Sequence, residues 1–151
     1  MPKSGPVNHI VVLVDGTDAS FRAADLAIEL ARIHGARLTA LSVVETETLR
    51  QLLNVKILVD NEMAEFEREL ETSSRVHLAE VHERALRRKL VIEEELLMGN
   101  AEVILPKFVQ DHEVDLIAIG GFEYRQATKD LLARQRQLIV DRSLVPVLVV
   151  K

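Results

Sequence analysis

Apolar and polar positions fall into blocks along this chain, and the blocks switch between a strand period and a helix period. His9 to Val14 (HIVVLV) is a short, continuous β-branched run, which predicts a strand covered on both faces in a parallel sheet. Asp15-Gly16-Thr17-Asp18 breaks that run and offers a turn and a helix N-cap. From Ala19 to His34 the residues Ala23, Leu26, Ala27, Leu30, Ala31 and Ile33 recur at helical spacing, and Gly35 supplies the stop. Ala36 to Val44 predicts a second strand, closing a βαβ unit of the right-handed, parallel kind.

Periodicity is poor from Glu45 to Val59, which predicts a loop. A long helix follows over Asp60 to Lys89, with Met63, Phe66, Leu70, His77, Val81 and Ala85 near one stripe. Leu90 to Met98 predicts a third strand. Gly99-Asn100 then gives a turn and N-cap into a helix over Ala101 to His112. Pro106 lies inside that helix and is expected to kink it, because it removes one amide donor. Asp115 to Ile119 reads as a fourth strand, Thr128 to Val140 as a helix, and Pro146 to Val150 as a fifth strand. Strict alternation of strand and helix predicts an α/β domain over residues 1–151, with a doubly wound parallel sheet and helices on both faces.

The charge balance narrows the partners. The net charge is −5, from 24 acidic and 19 basic residues, which disfavours nucleic acid and anionic membranes. The one basic run, Arg84-Ala85-Leu86-Arg87-Arg88-Lys89, is read as the last turn of an acidic helix, where cations oppose the helix dipole. No apolar run approaches the roughly 18 residues of a membrane span, and MPKSGPVNH lacks a secretory apolar core. There is no cysteine, so disulfides and thiolate metal sites are ruled out. These features set the expectation of a cytoplasmic protein.

HIVVLVDGTDAS, followed by an alanine-rich helix ending in HGARLTALSVV, resembles the opening of universal stress proteins. The later stretches EVDLIAIG (Glu113 to Gly120) and PVLVV (Pro146 to Val150) are similar to the family's close, and Gly99-Asn100-Ala101-Glu102 to the turn before its third helix. The resemblance covers both ends of the chain in the family's order and spacing. It implies a five-stranded sheet in the order 3-2-1-4-5 and a homodimer, often paired through the last strand, here Pro146 to Val150.

Open parallel sheets bind ligands beyond the carboxyl ends of their strands, where the strand order reverses. Asp15, Val43, Gly120 and Gly121 are the candidates there, with Arg134 as a basic group for an anion. Asp15 resembles the family's aspartate near the nucleotide base; its other role is turn-former beside a helix cap. ATP-binding members carry a glycine, two residues, a glycine, nine residues, then glycine and serine or threonine. With the first glycine at Gly120, this chain has Glu123, Ala133 and Arg134 at the later positions. A carboxylate at 123 facing a phosphate about 4 Å away costs roughly 4 kcal/mol at an effective dielectric of about 20. Lys129 to Val140 is rich in helix formers, so the amides of Ala133 and Arg134 are expected inside a continuous helix. Tyr124 and Arg125 add bulk to the same loop.

Little else supports chemistry. Ser20 has no histidine base in view, His77 belongs to an apolar stripe, and His77 and His82 miss the i,i+4 spacing of a helical zinc pair. Glu93-Glu94-Glu95 alternates faces on a strand. The sequence therefore predicts a non-enzymatic stress-response or regulatory protein without catalytic or metal-binding residues, and with no cofactor. Arg125, Lys129, Arg134 and Arg136 are basic residues near this loop and helix, and the alternative is an adenine-nucleotide switch or slow ATPase, taking ATP or AMP, in which Arg134 or Lys129 stands in place of the missing amides.

Overall fold

Strand β1 (His9–Leu13) is buried at every position. Its Ile10 and Val12 enter one apolar cluster and its Val11 and Leu13 another, so both faces of the strand are covered. The computed structural model describes residues 7–46, 60–121 and 127–151. After β1 the chain forms α1 (Asp18–His34), β2 (Arg37–Glu45), α2 (Asp60–Arg87), β3 (Glu93–Gly99), α3 (Ala101–Asp111), β4 (Leu116–Gly120), α4 (Ala127–Arg142) and β5 (Val147–Val150). The five strands are parallel in the order β3-β2-β1-β4-β5, as expected.

Helices α1 and α2 cover one face. Ala23, Ala27 and Ala31 of α1 and Val81 of α2 pack on Ile10 and Val12. Small side chains let α1 lie close against the sheet. On the other face Leu105 and Phe108 of α3 and Ile139 of α4 meet Val11 and Leu13. The helix ends use the residues their chemistry favours. Thr17 caps α1 by accepting from the Ser20 N–H, and Asn100 caps α3 by accepting from that of Glu102. Gly35 ends α1 in the left-handed region, at φ 63°.

The largest boundary difference from the sequence reading falls between α2 and β3. Helix α2 stops at Arg87 and β3 starts at Glu93, later than Leu90. The reason is the helix end itself: Lys89 adopts φ 61° and the Leu90 N–H bonds the Ala85 carbonyl at 2.9 Å. Along α2, Leu78, Val81 and Ala85 are buried, whereas Phe66 is 42% exposed. The basic run at the end of α2 is countered locally. Arg84 bonds Glu80 and Asp25, Arg87 bonds Glu83, and Arg88 pairs with Glu29. The assigned helix α3 continues through Pro106 to Asp111. The loop expected up to Val59 lies, from residue 47 on, outside the described residues. Among the described residues no helix is long and apolar enough to cross a membrane.

At the amino ends of the strands, buried polar groups are fully engaged. The Asp115 carboxylate accepts from the N–H groups of Asn8 and His9 at 2.8 and 3.0 Å. His9 is buried, with Nδ1 2.9 Å from the His112 carbonyl and Nε2 2.8 Å from Thr39 Oγ1. A carbonyl only accepts, so Nδ1 carries the hydrogen in the neutral ring and Nε2 accepts from the threonine hydroxyl. Burial, the largest cause, holds the His9 pKa below 6.5. The unfolded chain therefore takes up this proton more readily than the folded one. The contribution to stability is complete above pH 6.5 and falls as the pH drops toward the folded value. Urea unfolding between pH 8 and 5 is expected to show that decline, and His9→Gln to flatten it; an equal slope in the variant would assign the proton uptake to other groups.

Candidate functional site

The carboxyl ends of β1 and β2, with α2, α4 and the start of α3, frame a crevice of about 250 Å3, to which Leu13, Asp15, Val43, Glu45, Gln135 and Arg136 contribute. Asp15, on its wall, follows β1 beside the point where the strand order reverses, between β1 and β4. A larger hollow of about 600 Å3 has mainly aliphatic walls and lies toward the amino ends of β4 and β5. Being at the opposite end from the switch point, it is the less informative of the two.

Asp15 follows β1 in the turn that starts α1. Its Oδ1 accepts from the Thr17 N–H at 3.0 Å and from the Thr17 hydroxyl at 2.6 Å. Its Oδ2 forms an ion pair with Arg136, which reaches in from α4. Arg136 also donates to the Gly121 carbonyl at 3.3 Å. One guanidinium thus ties together the loop after β1, the loop after β4 and the helix α4. Its side chain is only 11% exposed, against 28% for that of Asp15. Burial lowers the Arg136 pKa from its ordinary value, and the paired carboxylate supplies the counter-charge such a position demands.

At this rim the N-termini of α1 and α3 receive the chain's own oxygens. Thr17 and Asn100 cap α1 and α3. Glu45, at the end of β2, places a carboxylate oxygen 3.2 Å from the Ala101 N–H at the first residue of α3. Burial pushes the Glu45 pKa up, while hydrogen bonds from Gln135 and the Ala101 N–H oppose that shift. Gln135 donates to Asn100 as well, at 3.0 Å.

The residues proposed from sequence fall into three groups. Asp15 and Val43 line the crevice. Gly120 and Gly121 lie at the end of β4, both buried. Arg134 is exposed and is not among the residues that line the crevice; Arg136, two positions on, holds that place. Helix α4 runs without a break through Ala133 and Arg134, so their N–H groups face the carbonyls of Lys129 and Asp130 four residues back. Glu123, Tyr124 and Arg125, and the side chain of Lys129, lie outside the described residues.

The glycines have structural work of their own. A Cβ on Gly120 would lie 2.6 Å from the Ser20 backbone nitrogen and 2.8 Å from the Ala19 carbonyl carbon, so β4 passes directly under the first turn of α1. The Gly121 N–H bonds the Val150 carbonyl at 2.7 Å, extending the pairing of β4 with β5. Ser20 is buried, its hydroxyl donating to the Thr17 carbonyl at 2.9 Å, which places it in the cap. His77 packs edge-on against Phe21, and His82 Nδ1 lies 3.6 Å from Glu94. Among the described residues no group of three or more histidines and carboxylates gathers to hold a metal. Gly120→Ala is expected to lower stability by about 1–3 kcal/mol, measured by urea unfolding; an unchanged midpoint would show that β4 and α1 separate freely here.

The universal stress protein family model matches residues 6–151. A universal stress protein from Lactobacillus plantarum superposes with TM-score 0.78 at 20% identity, covering 98% of this chain and 100% of that one. One from Archaeoglobus fulgidus in complex with dAMP gives 0.67 at 16%, covering 96% and 98%. One from Arabidopsis thaliana with AMP bound gives 0.67 at 14%, covering 95% and 91%. At these identities the structural likeness speaks for the fold. No curated protein sequence matches the chain. The family match extends over nearly the whole sequence, and the chain belongs to the universal stress protein family.

Proposed function

We propose that this universal stress protein family member is a non-enzymatic, cytoplasmic stress-response or regulatory protein that does not hold ATP through a glycine-rich phosphate loop. The observation that carries this reading is the unbroken course of α4 through Ala133 and Arg134. Phosphate loops work because free amides converge on the anion at a helix start. Amides in the second turn of a helix are already bonded. The sequence adds a carboxylate, Glu123, where a second glycine is needed. The crevice supports the same reading, since about 250 Å3 is below the roughly 300–1,000 Å3 of most ligand pockets. Absence of catalysis is supported by Ser20, whose hydroxyl serves the α1 cap.

Titration of a fluorescent ATP analogue into nucleotide-free protein tests the proposal. The expected result is no saturable binding in the micromolar range. Saturable micromolar binding that disappears when the Gly120 loop is altered would overturn it.

A second reading, a nucleotide switch or slow ATPase using basic residues, has its own support. Two solved relatives carry dAMP and AMP, and Arg136 is a cation already turned into the crevice. Mass spectrometry of small molecules released from the purified protein separates the two: a co-purifying adenine nucleotide favours the switch, and its absence disfavours it.

The outer edge of the sheet suggests the partner. Edge strand β3 carries Glu93, Glu94 and Glu95, charges that deter strand addition, whereas β5 reads VLVV without a charge. We propose a homodimer joined through β5, with Pro146 to Val150 as the pairing segment. Sedimentation is expected to give a dimer that Val149→Lys converts to monomer. A wild-type monomer at tens of micromolar would remove this proposal.

A further inference from the structure

The crevice is closed by a charge pair rather than by apolar packing, and that restricts what can enter. Both oxygens of Asp15 are engaged, Oδ1 by the Thr17 N–H and hydroxyl and Oδ2 by Arg136. Oδ2 has one donor, Arg136, and keeps a second lone-pair site for a ligand donor. Arg136 is the more deeply buried partner, at 11% exposure, and removing the partner of a buried charge is the strongly destabilising change. A simple amine that binds there adds a second positive charge beside Arg136, with Asp15 shared between the two. An anion that takes Arg136 in turn sits beside the Asp15 and Glu45 carboxylates, which also border the crevice, and is repelled. A molecule bearing an ammonium and an anionic group together matches both charges, the ammonium at Asp15 and the anion at Arg136.

The remaining surface sets the rest of the ligand. Leu13, Val43, Leu70 and Ile139 give the crevice aliphatic walls, and its volume of about 250 Å3 admits only a small body. The Gly121 carbonyl continues to hold Arg136 when the bond to Asp15 opens, so the guanidinium need only turn within its own reach. At the N-termini of α1 and α3, Thr17, Asn100 and Glu45 already accept from the Ser20, Glu102 and Ala101 amides.

We propose that this crevice is a binding site for small aliphatic zwitterions of the α-amino-acid class, with Asp15 receiving the ammonium and Arg136 the carboxylate. The proposal rests on the reading that the crevice does not hold a triphosphate.

Three probes that share one aliphatic chain make the test: L-leucine, N-acetyl-L-leucine, which lacks the ammonium, and isoamylamine, which lacks the carboxylate. Each is titrated into the full chain by calorimetry and thermal melting. Leucine is expected to bind saturably and, at about a hundredfold excess over Kd, to raise Tm by about 5–10 °C; the two half-molecules are expected to do neither. Arg136→Gln and Asp15→Asn, whose folding the same melts report, are each expected to weaken leucine binding at least tenfold. A flat response to leucine overturns the proposal, as does binding of either half-molecule equal to that of leucine. If one variant does not fold, undiminished leucine binding in the other overturns it equally. Failure here is a null with leucine, whatever nucleotides do; failure of the reading beneath it is nucleotide binding, whatever leucine does.

Discussion

Full burial of β1 is the constraint on which the rest of the structure depends. A strand with no exposed face needs helices on both sides, and its polar ends need partners in place of water. At the amino end those partners are Asp115, Thr39 and the His112 carbonyl. Beyond the carboxyl end, Ser42 donates to the Val14 carbonyl at 2.7 Å, the Val14 N–H bonds the Leu41 carbonyl at 2.8 Å, and Asp15 and Thr17 satisfy each other. The site is thus made from the same groups that terminate the central strand. This is why Asp15 serves both as turn-former and as the acidic wall of the crevice.

The fold was largely legible because its signals are local. A β-branched run, a glycine at a helix stop and an asparagine at a helix start each act within a few residues, and Gly35 and Asn100 do in the structure what their chemistry favours. The late start of β3 was less legible, because nothing in Leu90-Val91-Ile92 shows that the Leu90 N–H closes the preceding helix. Apolar residues near an element boundary fit either neighbour.

The site was legible only in part. Asp15 and Val43 were visible as residues flanking strand ends, whereas choosing Arg134 over Arg136 depended on an aligned motif and not on helical phase. Two residues on a helix are about 200° apart, so at most one of this pair can face the crevice. Ile139 is buried against the sheet, and Arg136, three residues before it, shares its side of the helix. That spacing was available in the sequence and points to Arg136. The ion pair with Asp15 was not available, because it joins residues more than a hundred positions apart.

The wider consequence concerns what a conserved architecture leaves free to change. In an open α/β sheet the strand ends and helix N-termini form a rim with a positive bias, which is why such rims suit phosphates. Here Thr17, Asn100 and Glu45 accept from the helix N-termini, and Asp15 neutralises the guanidinium that enters from α4. Among the described residues the rim therefore presents charges of both signs, Asp15 and Glu45 against Arg136. None of this required a new strand order or a new helix, only oxygens placed at helix starts and an arginine on the inner side of α4. In such a sheet recognition depends on a few side chains at the rim rather than on the layers that hold them.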